Sequence, residues 1–228
     1  MTDEERLERQ FAFIREIDRE KFIIRQTYLT GAKRQENDAE HAWHLAVMAL
    51  LLGGYANEKI DLLKTVSMVL IHDLVEIDAG DTYAYAGVSH EAQHEKEAKG
   101  ADRIFGLLPP DQGQAFRALW EEFEEGETPE AKFAHTLDNL QPMMQNDMTG
   151  GQMWQERGIA LSQVLRRNAR TADGSAVLWD YAKSRFLAPH VGKELKADTE
   201  LPAAAEAPAG TDGQSEARLA IFRSICYH

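Results

Sequence analysis

The stretch best equipped for chemistry runs Ile71-His72-Asp73-Leu74-Val75-Glu76-Ile77-Asp78-Ala79-Gly80-Asp81. An apolar run from Val66 to Ile71 leads straight into a His-Asp pair, and further acids follow at once. Apolar runs of this kind end up buried, and a buried charge is costly unless it is paired or bound to a metal. Neutral imidazole and carboxylate both ligate hard to borderline divalent cations, so a metal is the simplest reason for this composition. On a helix, Glu76 lies one turn beyond His72 and Asp73, so the three side chains can share a side. Gly80 is placed to end that helix and turn Asp81 back toward the same point. The competing reading is an amphipathic helix whose exposed end carries solvated acids.

The elements that must position this stretch are helices. Apolar residues at helical spacing predict a first helix over 3–28, with Phe11, Ile14, Ile17 and Ile24 as its stripe. A basic loop with Lys33 and Arg34 follows, and then a second helix capped by Asn37 or Asp38, with Glu40 completing a capping box. His41 sits in its first turn, and Trp43, Val47, Leu50, Leu51 and Tyr55 form its expected apolar stripe. The third helix, from about Asn57 through Leu74, is apolar on most sides and is expected to be central. Charged and amphipathic helices are expected over 90–106 and 111–125. A further helix starts at Thr128-Pro129-Glu130 and carries Phe133, Leu137, Leu140 and Met144, with Asp138 beside that stripe. Shorter helices are expected at 159–168 and 175–187. No strand-like alternation stands out. The expectation is an all-α single domain over 3–195. Residues 196–228 shift to Ala, Pro, Gly and Glu and read as a flexible tail with one possible short terminal helix.

Composition narrows the function. The chain has 228 residues, 43% of them hydrophobic, enough for one sizeable core. Its 38 acids against 25 bases give a net charge of −13, a surface that repels nucleic-acid polymers. A small anion is still accommodated where local Arg, Lys or a metal reverses the field. One cysteine, Cys226, permits no internal disulfide and suits a reducing compartment. A charged start without an apolar segment, and no run long enough to span a bilayer, point to a cytoplasmic protein without membrane partners.

His41, His72, Asp73 and Asp138 each fall on an expected core helix where polar residues are out of place. Singly, each has a bland reading: a surface or satisfied core histidine, an exposed acid. The ordered pattern His…His-Asp…Asp is far more specific, and it resembles the HD-domain metal-dependent phosphohydrolase superfamily over roughly 5–190. Glu40-His41 before an apolar helix resembles that superfamily's first ligand helix, His72-Asp73-Leu74-Val75-Glu76 with Gly80-Asp81 resembles the corresponding block of its 5′-nucleotidase branch, and Asp138 in Thr-Leu-Asp-Asn-Leu-Gln-Pro resembles the last ligand. The resemblance implies an HD-domain helical bundle holding one divalent cation (Mn, Co, Mg, Fe or Zn) on His41, His72, Asp73 and Asp138. It also implies a nucleoside 5′-monophosphate as substrate and a homodimer. Arg25, helped by Lys33 or Arg34, would hold the phosphate. Glu76 and Asp81 would position water and manage protons. Gln26 departs from the branch, whose deoxynucleotide-selective members tend to carry a bulky aromatic there.

Two other readings fit parts of the pattern. A dinuclear iron HD-type oxygenase adds two histidines between the His-Asp pair and the last Asp. His90 and His94 lie in that interval, but on one polar helix face. A non-catalytic metal-binding module has no need of Glu76 and Asp81. His44 and His135 read as supports for the ligands or as core groups, and the four tryptophans as core or interface residues.

Overall fold

The computed structural model describes residues 1–31, 33–80 and 90–203, with side chains in the last segment described from 93 onward. Asp81, the side chain of His90 and the region 204–228 lie outside the described residues. The chain folds as a mostly helical bundle, as expected. Helix α1 (Asp3–Ile17) starts from a Thr2–Glu5 capping box. A short 3-10 turn, Asp18–Phe22, leads not into more helix but into strand β1 (Ile24–Tyr28). This strand pairs antiparallel with β2 (Gln35–Asn37), Ile24 facing Asn37 and Tyr28 facing Gln35.

The hairpin corrects the expectation of a helix to residue 28. Its alternation is inverted: polar Arg25, Thr27 and Glu36 turn inward while Ile24 is exposed. A search for apolar residues on alternate positions therefore passes over it.

Helix α2 (Asp38–Leu52) follows, with the Asn37–Glu40 capping box in place: Glu40 N donates to Asn37 Oδ1 at 2.9 Å and Asn37 N to Glu40 Oε2 at 3.1 Å. Then come α3 (Leu62–Ile71), capped by Asp61, and the one-turn α4 (Glu76–Ala79). The remaining helices are α5 (His90–Phe105), α6 (Pro110–Glu125), α7 (Pro129–Met148), α8 (Gln152–Arg157), α9 (Leu161–Arg167), α10 (Thr171–Gly174) and α11 (Ala176–Ala182).

The buried faces of α1 and α2 differ from the expected stripes. Phe13 is the buried residue of α1, while Phe11 and Ile14 are exposed. On α2 the buried set is Asp38, His41, Ala42, Leu45, Met48 and Ala49, and Trp43 and Leu51 face outward. Helix α2 is apolar nearly all round, so periodicity alone could not choose its face.

Two apolar clusters form the core. One joins Leu45, Met68, Val69, Phe133, Leu137 and Trp154; the other joins Phe13, Ile71, Leu74, Val75, Ile104 and Trp120. The His72-Asp73 pair lies in sequence where the chain passes from the first cluster to the second. Here the helix tightens: Leu74, Glu76, Ile77 and Asp78 bond back three residues, to Ile71, Asp73, Leu74 and Val75. Glu76 thus opens a new one-turn helix instead of extending α3. Gly80 ends it at φ +74°, a conformation that favours glycine. Helix α5 approaches this turn so closely that a Cβ on Gly100 would lie 2.8 Å from the Val75 carbonyl oxygen.

The expected tail boundary at 196 also moves. Lys196 exchanges backbone bonds with Ile159 and Leu161, Asp198 accepts from Ser162 N at 2.9 Å, and Lys183 Nζ donates to Ala203 O at 3.0 Å. Leu201 packs on the first cluster, so the packed chain reaches at least to 203.

Candidate metal centre

Four elements bring the polar residues together. His41 comes from the first turn of α2, oriented by the capping box. His72 and Asp73 come from the tightened end of α3. Asp138 comes from the middle of α7, four residues before Pro142, whose missing N–H cannot bond the Asp138 carbonyl. Arg25 comes from β1. His41 is 0% exposed, His72 4% and Asp73 9%.

The donor atoms face one another. His41 Nε2 lies 3.1 Å from Asp138 Oδ1, and His72 Nε2 lies 3.0 Å from Asp73 Oδ2 and 3.8 Å from Asp138 Oδ1. His41 Nε2 to Asp73 Oδ2 is 4.0 Å. Donors each about 2.1 Å from a shared cation keep separations of roughly this size.

The outward nitrogens set the tautomers. His72 Nδ1 lies 3.0 Å from the Val69 carbonyl oxygen, an acceptor only, so Nδ1 carries a proton. His41 Nδ1 lies 3.0 Å from Gln141 Oε1, also an acceptor. Gln141 is itself oriented, donating through Nε2 to Glu36 Oε1 at 2.7 Å, where Gln145 Nε2 donates at the same distance. Both imidazoles, when neutral, therefore aim bare Nε2 lone pairs at carboxylate oxygens. That arrangement is repulsive unless a proton or a metal ion lies between. His72 Nε2 is buried and, despite Asp73 Oδ2 at 3.0 Å, makes no well-formed hydrogen bond, as suits a ligand atom. The residues fit a divalent cation.

Charge counting agrees. Arg25 Nη1 contacts Asp73 Oδ2 at 2.7 Å and Asp38 Oδ1 at 3.1 Å, and Nη2 lies 3.9 Å from Asp138 Oδ1. Three carboxylates against one guanidinium leave a deficit of two positive charges. Burial and Arg25 push the His41 imidazole down to about 4, so it is neutral at pH 7. Burial opposes protonation of His72, but Asp73 and Asp138 outweigh it and hold His72 well above its ordinary value. A proton on His72 thus partly substitutes for the cation. Burial alone would raise Asp73 and Asp138. His72 and Arg25 pull Asp73 down nonetheless, and the two histidines pull Asp138 down.

Other expected site residues are placed as follows. Glu76 is half-buried, and its carboxylate acts on Arg25, so it faces the cluster. Lys33 and Arg34 are carried outward by the hairpin turn; both are exposed, and Arg34 Nη1 grips Glu40 Oε2 at 2.9 Å. Neither bonds to the cluster. Gln26 sits on the opposite strand face from Arg25, its Oε1 accepting from Arg157 Nη2 at 2.6 Å. His44 Nδ1 lies 3.4 Å from Gln141 Nε2, and His135 Nε2 donates to the Phe123 carbonyl oxygen at 2.7 Å. His94 is grouped with Glu97 and Glu124, apart from the His41–His72–Asp73 group.

Sequence reasoning missed Asp38, Glu36, Gln141, Gln145 and Glu20. Glu20, in the turn after α1, is 7% exposed; burial first, then Asp73 and Asp38, push its carboxyl up to about 8. Gln141 and Gln145 continue the Phe133–Leu137 stripe of α7 at four-residue steps. Amides on an apolar stripe were the available signal.

Comparison with known proteins agrees with this geometry. The HD domain family model matches residues 17–179. The Homo sapiens 5′-deoxynucleotidase HDDC2 is 28% identical over 134 residues, 58% of this chain and 64% of that protein. Its Danio rerio counterpart is 33% identical over 113 residues, 50% of this chain and 55% of that protein. The chain thus spans less than two thirds of the length of these relatives. A Magnetospirillum magnetotacticum MS-1 protein described as a predicted metal-dependent phosphohydrolase superimposes with a TM-score of 0.77. It shares 46% identity and covers 81% of this chain and 92% of its own. With the family pattern matched across most of its length and the His, His-Asp and Asp side chains gathered at one buried point, this chain belongs to the HD-domain family.

Proposed function

We propose that the protein is a divalent-metal-dependent phosphohydrolase that removes phosphate from nucleoside 5′-monophosphates. The observation that carries this reading is the buried meeting of two bare Nε2 atoms with two carboxylates, next to a buried guanidinium. A bound divalent cation supplies Lewis acidity toward a phosphoryl oxygen and makes water easier to ionise. Arg25, held by Asp38 and Asp73, presents its remaining donors to the phosphate. Glu76 accepts or orients the proton of the attacking water, with Asp81 as its proposed companion. The nucleotide substrate rests on the kinship with the deoxynucleotidases, and the phosphohydrolase class also on the Magnetospirillum protein.

A panel of ribo- and deoxyribonucleoside monophosphates, run with several divalent metals, tests the reading. Phosphate release that needs a metal and stops with chelator is the expected result. No release from any nucleotide with any metal would overturn it. Gln26 is turned to the strand face opposite Arg25 and held by Arg157, so this position brings no bulky side chain against the sugar. The ribo to deoxyribo preference is therefore expected to stay below about a hundredfold, the scale of one pocket contact. A larger preference for deoxyribonucleotides would place the 2′ discrimination on another group.

We also propose a cytoplasmic homodimer. Among the described residues no helix is long and apolar enough to cross a membrane. Trp43 and Leu51 on α2 and Leu63 on α3 are 64%, 61% and 77% exposed, apolar area that a second copy would cover. Light scattering is expected to read twice the 25.7 kDa chain mass, and Trp43→Glu to shift it toward one. A monomer at micromolar concentration would remove the dimer from the proposal.

A further inference from the structure

A cleft of about 320 Å³ opens between α6 and α7 on one side and α9 and α10 on the other. Its lining runs against the composition of the chain. In a protein of net charge −13, Lys132, Arg166, Arg167 and Arg170 converge there, against two acids, Glu124 and Asp173.

The bases are unevenly engaged. Arg170 is held by Asp173 at 3.0 Å and Glu127 at 3.1 Å, which fixes its guanidinium at the rim. Arg166 acts on Asp198 only through its field. The Lys132 ammonium has no acid in salt-bridge range among the described residues. Arg167 Nη2 is 3.8 Å from Asp138 Oδ2, the oxygen opposite the one that faces His41. Asn139 Oδ1, in the same lining, is buried without a hydrogen-bond donor.

We propose that this cleft is a binding site for a small phosphate-bearing anion, distinct from the position of Arg25 and adjoining the metal centre through Arg167. Planar guanidinium forks match phosphate oxygens in pairs, and lysine adds a point charge, whereas a carboxylate ligand would use fewer of the available donors. The volume lies at the lower end of small-molecule sites, larger than orthophosphate alone requires. An anion there draws Arg167 away from Asp138, so occupancy is felt at the centre. The site does not rest on the proposed reaction, since its chemistry is recognition alone.

The test uses the full chain treated with chelator, so that no metal contributes, at low ionic strength. Orthophosphate and adenosine 5′-monophosphate are titrated separately by calorimetry. One saturable site is expected in the parent, weakened at least tenfold in Arg166→Gln/Arg170→Gln and largely kept in Arg166→Lys/Arg170→Lys. Tighter binding of the nucleotide than of orthophosphate would make a phosphorylated metabolite the occupant; equal binding would make it free phosphate. The Lys pair guards against a Gln variant that merely unfolds. Absence of saturable binding in the parent, or equal binding in the parent and a folded Gln pair, would overturn the proposal whatever the enzyme assays show.

Discussion

Alanine at His72 or at Asp73 is expected to strip the protein of its divalent cation and reduce turnover to background. Each change removes a buried donor from the cluster. Asp73→Ala also takes from Arg25 its shortest contact, 2.7 Å, leaving a buried guanidinium with Asp38 and the more distant Asp138. Removing one partner of a buried pair costs about 3–5 kcal/mol, so this variant is expected to melt earlier than His72→Ala. Both should lose the stabilisation a folded-state ligand gives, about 2.7 kcal/mol at a hundredfold excess over Kd. Elemental analysis decides the matter: full metal content in both folded variants would remove these residues from the centre.

The same cluster sets a pH dependence. In the metal-free protein His72 is raised by Asp73 and Asp138, and those carboxylates are lowered. The raised imidazole contributes stability that is complete below its unfolded value, about 6.5, and lost as pH rises through the folded value. The lowered carboxylates contribute stability present above about 3.9 and lost as pH falls through their folded values. Between those limits both of these contributions are complete, while the lowered His41 works against folding as pH falls from about 6.5 toward 4. Metal competes with the His72 proton, so affinity is expected to rise up to about tenfold per pH unit until His72 has titrated. Flat affinity from pH 6 to 8 would mean that no ligand proton is displaced.

The parts of this centre that were legible in the sequence share one property. His72, Asp73, His41 and Asp138 are polar residues on segments whose neighbours must be buried, and burial of a charge demands a reason. Caps were legible for a different reason: Asn37 with Glu40, and Thr128 before Pro129, satisfy helix-end donors by local rules. The hairpin was hidden because its inward face is polar, lining a charged centre instead of an oily core. The face of α2 was hidden because Trp43 and Leu51 are as apolar as Leu45 and Met48, and only tertiary packing distinguishes them. Asp38 was read only as a possible cap, although its carboxylate helps hold Arg25. The break after Ile71 follows from tertiary demand as well. Neighbouring residues on a regular helix point about 100° apart, yet His72 and Asp73 meet at 3.0 Å where the winding tightens.

That break bears on the chemistry. Because Glu76 opens α4, its position depends on the tight turn, with α5 seated at Gly100 against Val75. Its Oε2 is buried, and the carboxylate acts on the same Arg25 that grips Asp73. Glu76 therefore borders the cluster without being one of its four proposed donors. Glu76→Gln keeps the shape and removes both the charge and the proton-accepting capacity. Near-normal metal content, near-normal substrate binding and turnover lower by about 10²–10⁴-fold are expected, the usual worth of a positioned acid–base group. Single-turnover kinetics paired with metal analysis separate the possibilities. Parent-like turnover would make Glu76 an ordinary acid at the end of a core helix. Loss of the metal would make it a ligand, and the proton-handling role would then pass to another carboxyl, with Glu20, buried and within the field of Asp73, a candidate.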